Sequence, residues 1–195
     1  MPKALWSNDT TITRTLRVEA DVYLQTKTGK EKRAADYWAM RSRLLICRFP
    51  RLNTLRVIAG WSHDPILGSN WIPVRARQGL GISRDKWEKA MCVWLNSTPG
   101  IVNFLSVASP KVLSRPDLNL APCREMLVPD IDEKQAASLA DIFDRHLGTE
   151  LQGLADISSD PVRLALDDAV STFLAIPPEI VSGARSELRN EPSVQ

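Results

Sequence analysis

The sequence predicts an α+β fold, with a small twisted, mostly antiparallel sheet in the N-terminal half followed by a helical C-terminal half. Three observations predict it. Short apolar runs bounded by Pro, Gly and polar turns fill residues 20–75, apolar residues at helical spacing take over near position 80, and two segments beyond 130 carry full helix-start signals. The 195 residues suit one β-rich domain over 1–125, with a helical segment over 126–195 that packs on it or docks a partner.

Each element has its own signal. Thr11–Leu16 alternates weakly, and Ala20–Leu24 is a short β-type segment before the turn Thr26–Lys30. Lys30–Ala35 is expected to form one helical turn. Arg43–Phe49 is an apolar run of strand length stopped by Pro50, and Leu55–Trp61 is a second. Ser62–Pro65 reads as a turn. Asn70–Arg75 is a third strand, and Pro73, which has no N–H to donate, restricts it to an edge or a bulge.

Ser83 is the expected N-cap of a helix over roughly 84–95, with Trp87, Met91, Trp94 and Leu95 at helical spacing. Pro99 suits the start of a second helix through Ile101–Leu105. Pro110, Pro116, Pro122 and Pro129 forbid a long helix and predict extended chain wrapping the domain. Asp130 and Glu133 have capping-box spacing ahead of Gln135–Leu147, and Gly148 suits the C-terminal cap. Asp160 is the expected cap, with Pro161 at the first position, of a helix whose stripe is Val162, Leu166, Val170, Phe173 and Leu174. A last helix covers about 179–189.

Composition excludes several classes. At 44% hydrophobic and 25% charged the chain is neither disordered nor collagen-like. Cys47, Cys92 and Cys123 cannot pair completely and lack CxxC spacing, so neither a disulfide framework nor a zinc ribbon is expected. No apolar stretch is long enough to span a bilayer, and MPKALWSNDTT has no signal-peptide core. A reducing, cytoplasmic compartment is expected, with no membrane partner.

Charge is distributed unevenly. Residues 1–90 hold 17 Lys and Arg against 8 Asp and Glu, a balance of +9; the remainder holds 8 against 15, a balance of −7. Five of the six Trp and both Tyr lie in the basic half. Basic residues interleaved with aromatics suit a polyanion surface, although each Trp can equally fill a core.

Catalytic chemistry finds little footing. His63 sits in a turn-like stretch and His146 at a helix end. Gly79-Leu80-Gly81 lacks the third glycine of a dinucleotide fingerprint, there is no P-loop, and Asp167-Asp168 cannot face one way along a helix. The expectation is no catalytic residue, no metal and no cofactor: not an enzyme.

The segment Lys89-Ala90-Met91-Cys92-Val93-Trp94-Leu95-Asn96-Ser97-Thr98-Pro99-Gly100 resembles the target-recognition region of N6-adenine DNA methyltransferases of restriction–modification and phage-defence systems. The likeness continues through Arg43–Ile46, Arg51–Val57 and Leu67–Val74 upstream. Downstream it takes in Met126–Asp130 with Lys134-Gln135, Asp160–Arg163 with Leu166–Val170, and Glu191-Pro192, covering about 20–195. The family's catalytic half uses a Gly-rich S-adenosylmethionine loop and an Asn/Asp-Pro-Pro-Tyr/Phe tetrapeptide, and this chain has neither; its Ile176-Pro177-Pro178-Glu179 has other neighbours. The resemblance therefore implies a recognition module without methyl-transfer machinery.

The leading expectation is a non-catalytic, DNA-binding target-recognition module of a modification or phage-defence system, reading double-stranded DNA through its basic half. Arg41, Arg43, Arg48, Arg51, Asn53, Arg56, Arg75, Arg77 and Lys86, taken from basic turns and strand ends, are the candidate contacts to phosphates and base edges. Asn96, Ser97 and Thr98 are assigned to capping and turning their helix. The acidic helices at 133–147 and 161–175 are expected to dock a methyltransferase or other defence subunit. The alternatives are a protein-interaction or scaffold component without direct DNA contact, and a divergent enzyme.

Overall fold

A computed structural model describes residues 1–7, 13–112, 115–118, 120–192 and 194. Five strands, β1 (Lys3–Leu5), β2 (Val22–Tyr23), β3 (Ser42–Cys47), β4 (Ala59–Gly68) and β5 (Trp71–Val74), form one sheet in the order β2-β1-β4-β3-β5. Three of its four pairings are antiparallel, and β1 runs parallel to β4. Helix α1 (Glu31–Ala39) lies between β2 and β3 in the chain. After the sheet come α2 (Arg84–Asn96), α3 (Thr98–Val107), a hairpin of β6 (Ser109–Val112) and β7 (Arg115–Asp117), and a single turn, α4 (Leu120–Cys123). Three longer helices, α5 (Glu133–His146), α6 (Pro161–Leu174) and α7 (Pro178–Asn190), complete the α+β fold.

Strand β3 lies between β4 and β5, and both of its faces are apolar. Leu44 and Ile46 belong to a large buried cluster running from Leu16 to Val194, which includes α2, α5 and α6. Leu45 and Cys47 point the other way, into a second cluster with Leu5, Val18, Ile66 and Trp71. α2 is the hub of the large cluster, with nine of its residues buried from Trp87 to Asn96. Four tryptophans, 61, 71, 87 and 94, fill these cores, whereas Trp6 and Trp38 do not.

The Leu-Asn-Ser-Thr segment fastens the layers together. The Asn96 side-chain carbonyl accepts Ile58 N–H at 2.8 Å, and its amide donates to the Ala59 carbonyl at 2.6 Å, so α2 is tied to the start of β4. Ser97 caps α3 by accepting Gly100 N–H. Of the capping and turning role expected of Asn96-Ser97-Thr98, Ser97 fills the capping part; Asn96 instead cross-links α2 to β4, and Thr98, the first residue of α3, bonds Asp167.

Several sequence expectations need correcting. Ser62–Pro65 is not a turn: Ser42 pairs with Ile66 and Leu44 with Trp61, so the stretch bulges out within β4. Leu55–Ile58 lies outside that strand, which starts at Ala59. The capping box is Asp132 with Gln135, not Asp130 with Glu133; buried Ile131 and Ala136 flank it as a hydrophobic staple, which fixes the register. Gly148 adopts no left-handed conformation, and the left-handed helix end is instead Ala175, after α6. The Pro-punctuated stretch folds partly into the β6–β7 hairpin. Thr11 and Ile12 lie outside the described residues. As expected, Asp160 caps α6 beside Pro161, and β5 with Pro73 is an edge strand.

Candidate nucleic-acid interface

Folding consumes much of the charge asymmetry. Of the 17 basic residues before position 91, nine meet a carboxylate of this chain: Lys3, Arg14, Arg17, Arg43, Arg48, Arg56, Arg84, Lys86 and Lys89. Five of those pairs cross between the halves, as Lys86 with Glu133 at 2.5 Å and Lys89 with Asp144 at 2.9 Å do for α2 on α5. The Lys86 ammonium and the Ser83 N–H hold the Glu133 carboxyl below its ordinary pKa. Part of the acidic half is thus the internal counter-charge of the basic half.

Eight basic residues remain without a carboxylate partner among the described residues: Lys27, Lys30, Lys32, Arg33, Arg41, Arg51, Arg75 and Arg77. All but Arg51 lie on α1, the turn before it, or the chain flanking β3 and β5 at one end of the sheet. The register fixes this. β5 runs antiparallel to β3 with Val74 opposite Leu44 and Trp71 opposite Cys47, so Arg75 and Arg77 emerge beside Arg41. Arg51 and Asn53 lie beyond the other end of β3, exposed, about 20 Å away at ~3.3 Å per strand residue.

The nine sequence candidates therefore do not form one face. Arg41, Arg75 and Arg77 share the α1 end. Arg43 is held by Asp85 at 2.7 Å, Arg48 by Asp117 at 3.3 Å, and Lys86 by Glu133. Arg56 donates to the Leu151 carbonyl at 2.9 Å, beside Glu150. Lys27, Lys30, Lys32 and Arg33 were missed, although Lys27-Thr28-Gly29-Lys30-Glu31-Lys32-Arg33 is the densest basic run in the first half. Reading it only as a turn and a helical start hid its charge.

Local chemistry builds this end. Gly29 takes a φ of +76°, which lets the chain turn so that Lys30 N–H reaches the Lys27 carbonyl at 3.0 Å. Glu31 then accepts Gly29 N–H at 2.9 Å, and its own backbone N–H, together with that of Gly29, lowers its carboxyl pKa. At the other end of α1, where carbonyls lack helical partners, Arg41 donates to the Trp38 carbonyl at 2.9 Å and Arg75 to that of Ala39. The Arg41 guanidinium also lies 4.8 Å from the Trp38 ring centroid, and that of Arg33 5.5 Å from Tyr37.

None of the α1 residues is buried. Its Ala34, Tyr37 and Trp38 instead line a cavity of about 770 Å³, closed on the other side by β1, the β4–β5 turn and β5. Trp6 forms part of its wall. The backbone there is fixed, since Asp21 accepts Trp6 N–H at 2.7 Å and Ser7 N–H at 2.8 Å, yet the Trp6 ring is 54% exposed. Tyr37 is 47% exposed. Apart from Arg75, the lining is mainly apolar and aromatic.

Other sites are thin. No group of three His, Cys, Asp or Glu among the described residues is placed to hold a metal ion. Burial pushes the Cys92 thiol pKa up strongly and that of Cys123 up as well, opposite to an activated nucleophile. No described helix is long and apolar enough to cross a membrane. No protein-family model, curated protein or solved structure matches this chain.

Proposed function

We propose that this chain is a non-catalytic DNA-binding module of a DNA-modification or phage-defence system, and that it holds DNA at the α1 end of its sheet. One observation carries the reading. After internal pairing, seven of the eight first-half basic residues without a carboxylate partner among the described residues lie on α1, in the turn before it, or in the chain next to its C-terminal end, where Trp6 and Tyr37 are exposed. Phosphates bind such cations by displacing condensed counterions, and arginines whose remaining donors are unused suit that role. Arg41 and Arg75 keep donors beyond those that hold α1. The resemblance of the Leu-Asn-Ser-Thr region to methyltransferase recognition regions supplies the defence context. A separate methyltransferase or other defence subunit is the proposed partner.

The test is fluorescence anisotropy with a labelled duplex across a salt series. The chain should bind with log affinity falling steeply as log salt rises. A Lys30→Glu, Lys32→Glu, Arg77→Glu variant should weaken binding by at least tenfold and flatten that slope, while Arg51→Glu leaves both unchanged. Equal losses in the two variants, or absence of binding, would overturn the assignment in favour of a protein-interaction component.

A further inference from the structure

We infer that the cavity under α1 receives an unpaired nucleobase, with the adjoining phosphates on the cations at its rim. This deepens the proposal above and rests on it. The cavity, at about 770 Å³, falls within the range of small-molecule sites, and Trp6, Tyr37 and Trp38 bring three aromatic rings to it. A base offers a flat apolar face for such rings whatever its identity. Charge selects the occupant. Arg75 lines the cavity and Arg41 stacks on Trp38, with Lys30 at the N-cap and Lys32 in the first turn of α1, so an apolar guest that enters is favoured when it carries anionic groups at its edge. A nucleotide strand has that combination.

The aromatic wall is also preorganised. Trp6 is presented on backbone fixed by Asp21, and the Trp71 indole N–H donates to the Ser7 carbonyl at 2.8 Å, anchoring the same segment to a buried side chain of β5. Exposing a Trp ring to water while immobilising its backbone creates a stacking surface ready for a flat partner. Within a duplex the same pocket is reached only by a base that leaves the stack, which is easiest at a mismatch.

The experiment compares a 12-nucleotide oligothymidylate with a strand of equal length and charge whose central positions are abasic, at one salt concentration. Oligothymidylate is expected to bind about tenfold or more tightly than the abasic strand and to quench tryptophan emission, which the abasic strand leaves unchanged. A Tyr37→Ala, Trp38→Ala variant should erase that preference while keeping the salt slope, and since neither ring belongs to a core cluster both clusters stay intact. Equal affinity for the two strands overturns the base pocket and leaves the phosphate-binding face intact. Failure of both strands and the duplex to bind overturns the DNA reading, and the pocket with it.

Discussion

Asp167 takes both hydrogens that Thr98 offers: its carboxylate accepts the Thr98 backbone N–H at 2.6 Å and the hydroxyl at 2.7 Å. The Arg185 guanidinium supplies a third contact at 2.7 Å. Asp167 is only 1% exposed, so one buried carboxylate joins the start of α3 to α6 and α7. A charge buried in this way is stable only because every contact is made.

Replacing Asp167 with Ala leaves the Thr98 donors and the Arg185 charge without their acceptor. We expect Asp167→Ala to lower the unfolding free energy by about 3 kcal/mol in urea titrations, with an unchanged slope. Thr98→Val removes only the hydroxyl bond and should cost about 1 kcal/mol. The two changes should be less than additive, since they share an interaction. A loss well under 1 kcal/mol for Asp167→Ala would show that water replaces the carboxylate without penalty.

How much of this was legible beforehand divides by distance along the chain. The Asp160-Pro161 start of α6, the apolar spacing of α2 and the edge position of Pro73 are local signals, and each stands in the structure. β1 was invisible because a three-residue strand has no period, and its parallel partner, β4, lies some 60 residues on. The site was half legible for the same reason. Sequence exposes an excess of arginine, but Arg43 and Lys86 are neutralised by Asp85 and Glu133, 42 and 47 residues away. Only the fold decides which cations are spent internally. The α1 cavity likewise depends on β1, which no pattern announced.

Glu88 gives a pH prediction. Its side chain is 0% exposed, one oxygen receives Arg84 at 2.7 Å, and the other has no hydrogen-bond partner among the described residues. Burial raises its carboxyl pKa, with Arg84 opposing the effect only in part. A carboxyl raised on folding favours the folded state while protonated, and that contribution is lost as pH rises through the folded-state pKa. Glu88→Gln should therefore raise Tm by about 2–4 °C at pH 7–8, the shift given by ~1 kcal/mol in a domain of this size, and the gain should vanish below about pH 4.5. A variant less stable than the parent at pH 7 would show that the Arg84 pair outweighs desolvation.

Helix α1 should open far more readily than α2. It has nine residues, none buried, and helices that short are marginal without packing. Two of its C-terminal carbonyls, those of Trp38 and Ala39, accept from the Arg41 and Arg75 guanidinium groups. Amide hydrogen exchange should accordingly show weak protection over 31–39 and strong protection over 87–96, where nearly every side chain is buried. Arg75→Ala releases the Ala39 carbonyl, so it should speed exchange in α1 by severalfold. The α2 amides and Tm should stay as they were, within the ~0.5 kcal/mol typical of surface changes. If Arg75→Ala instead speeds exchange in both helices, α1 unfolds with the domain as one unit, and the cavity beneath it opens only when the whole fold does.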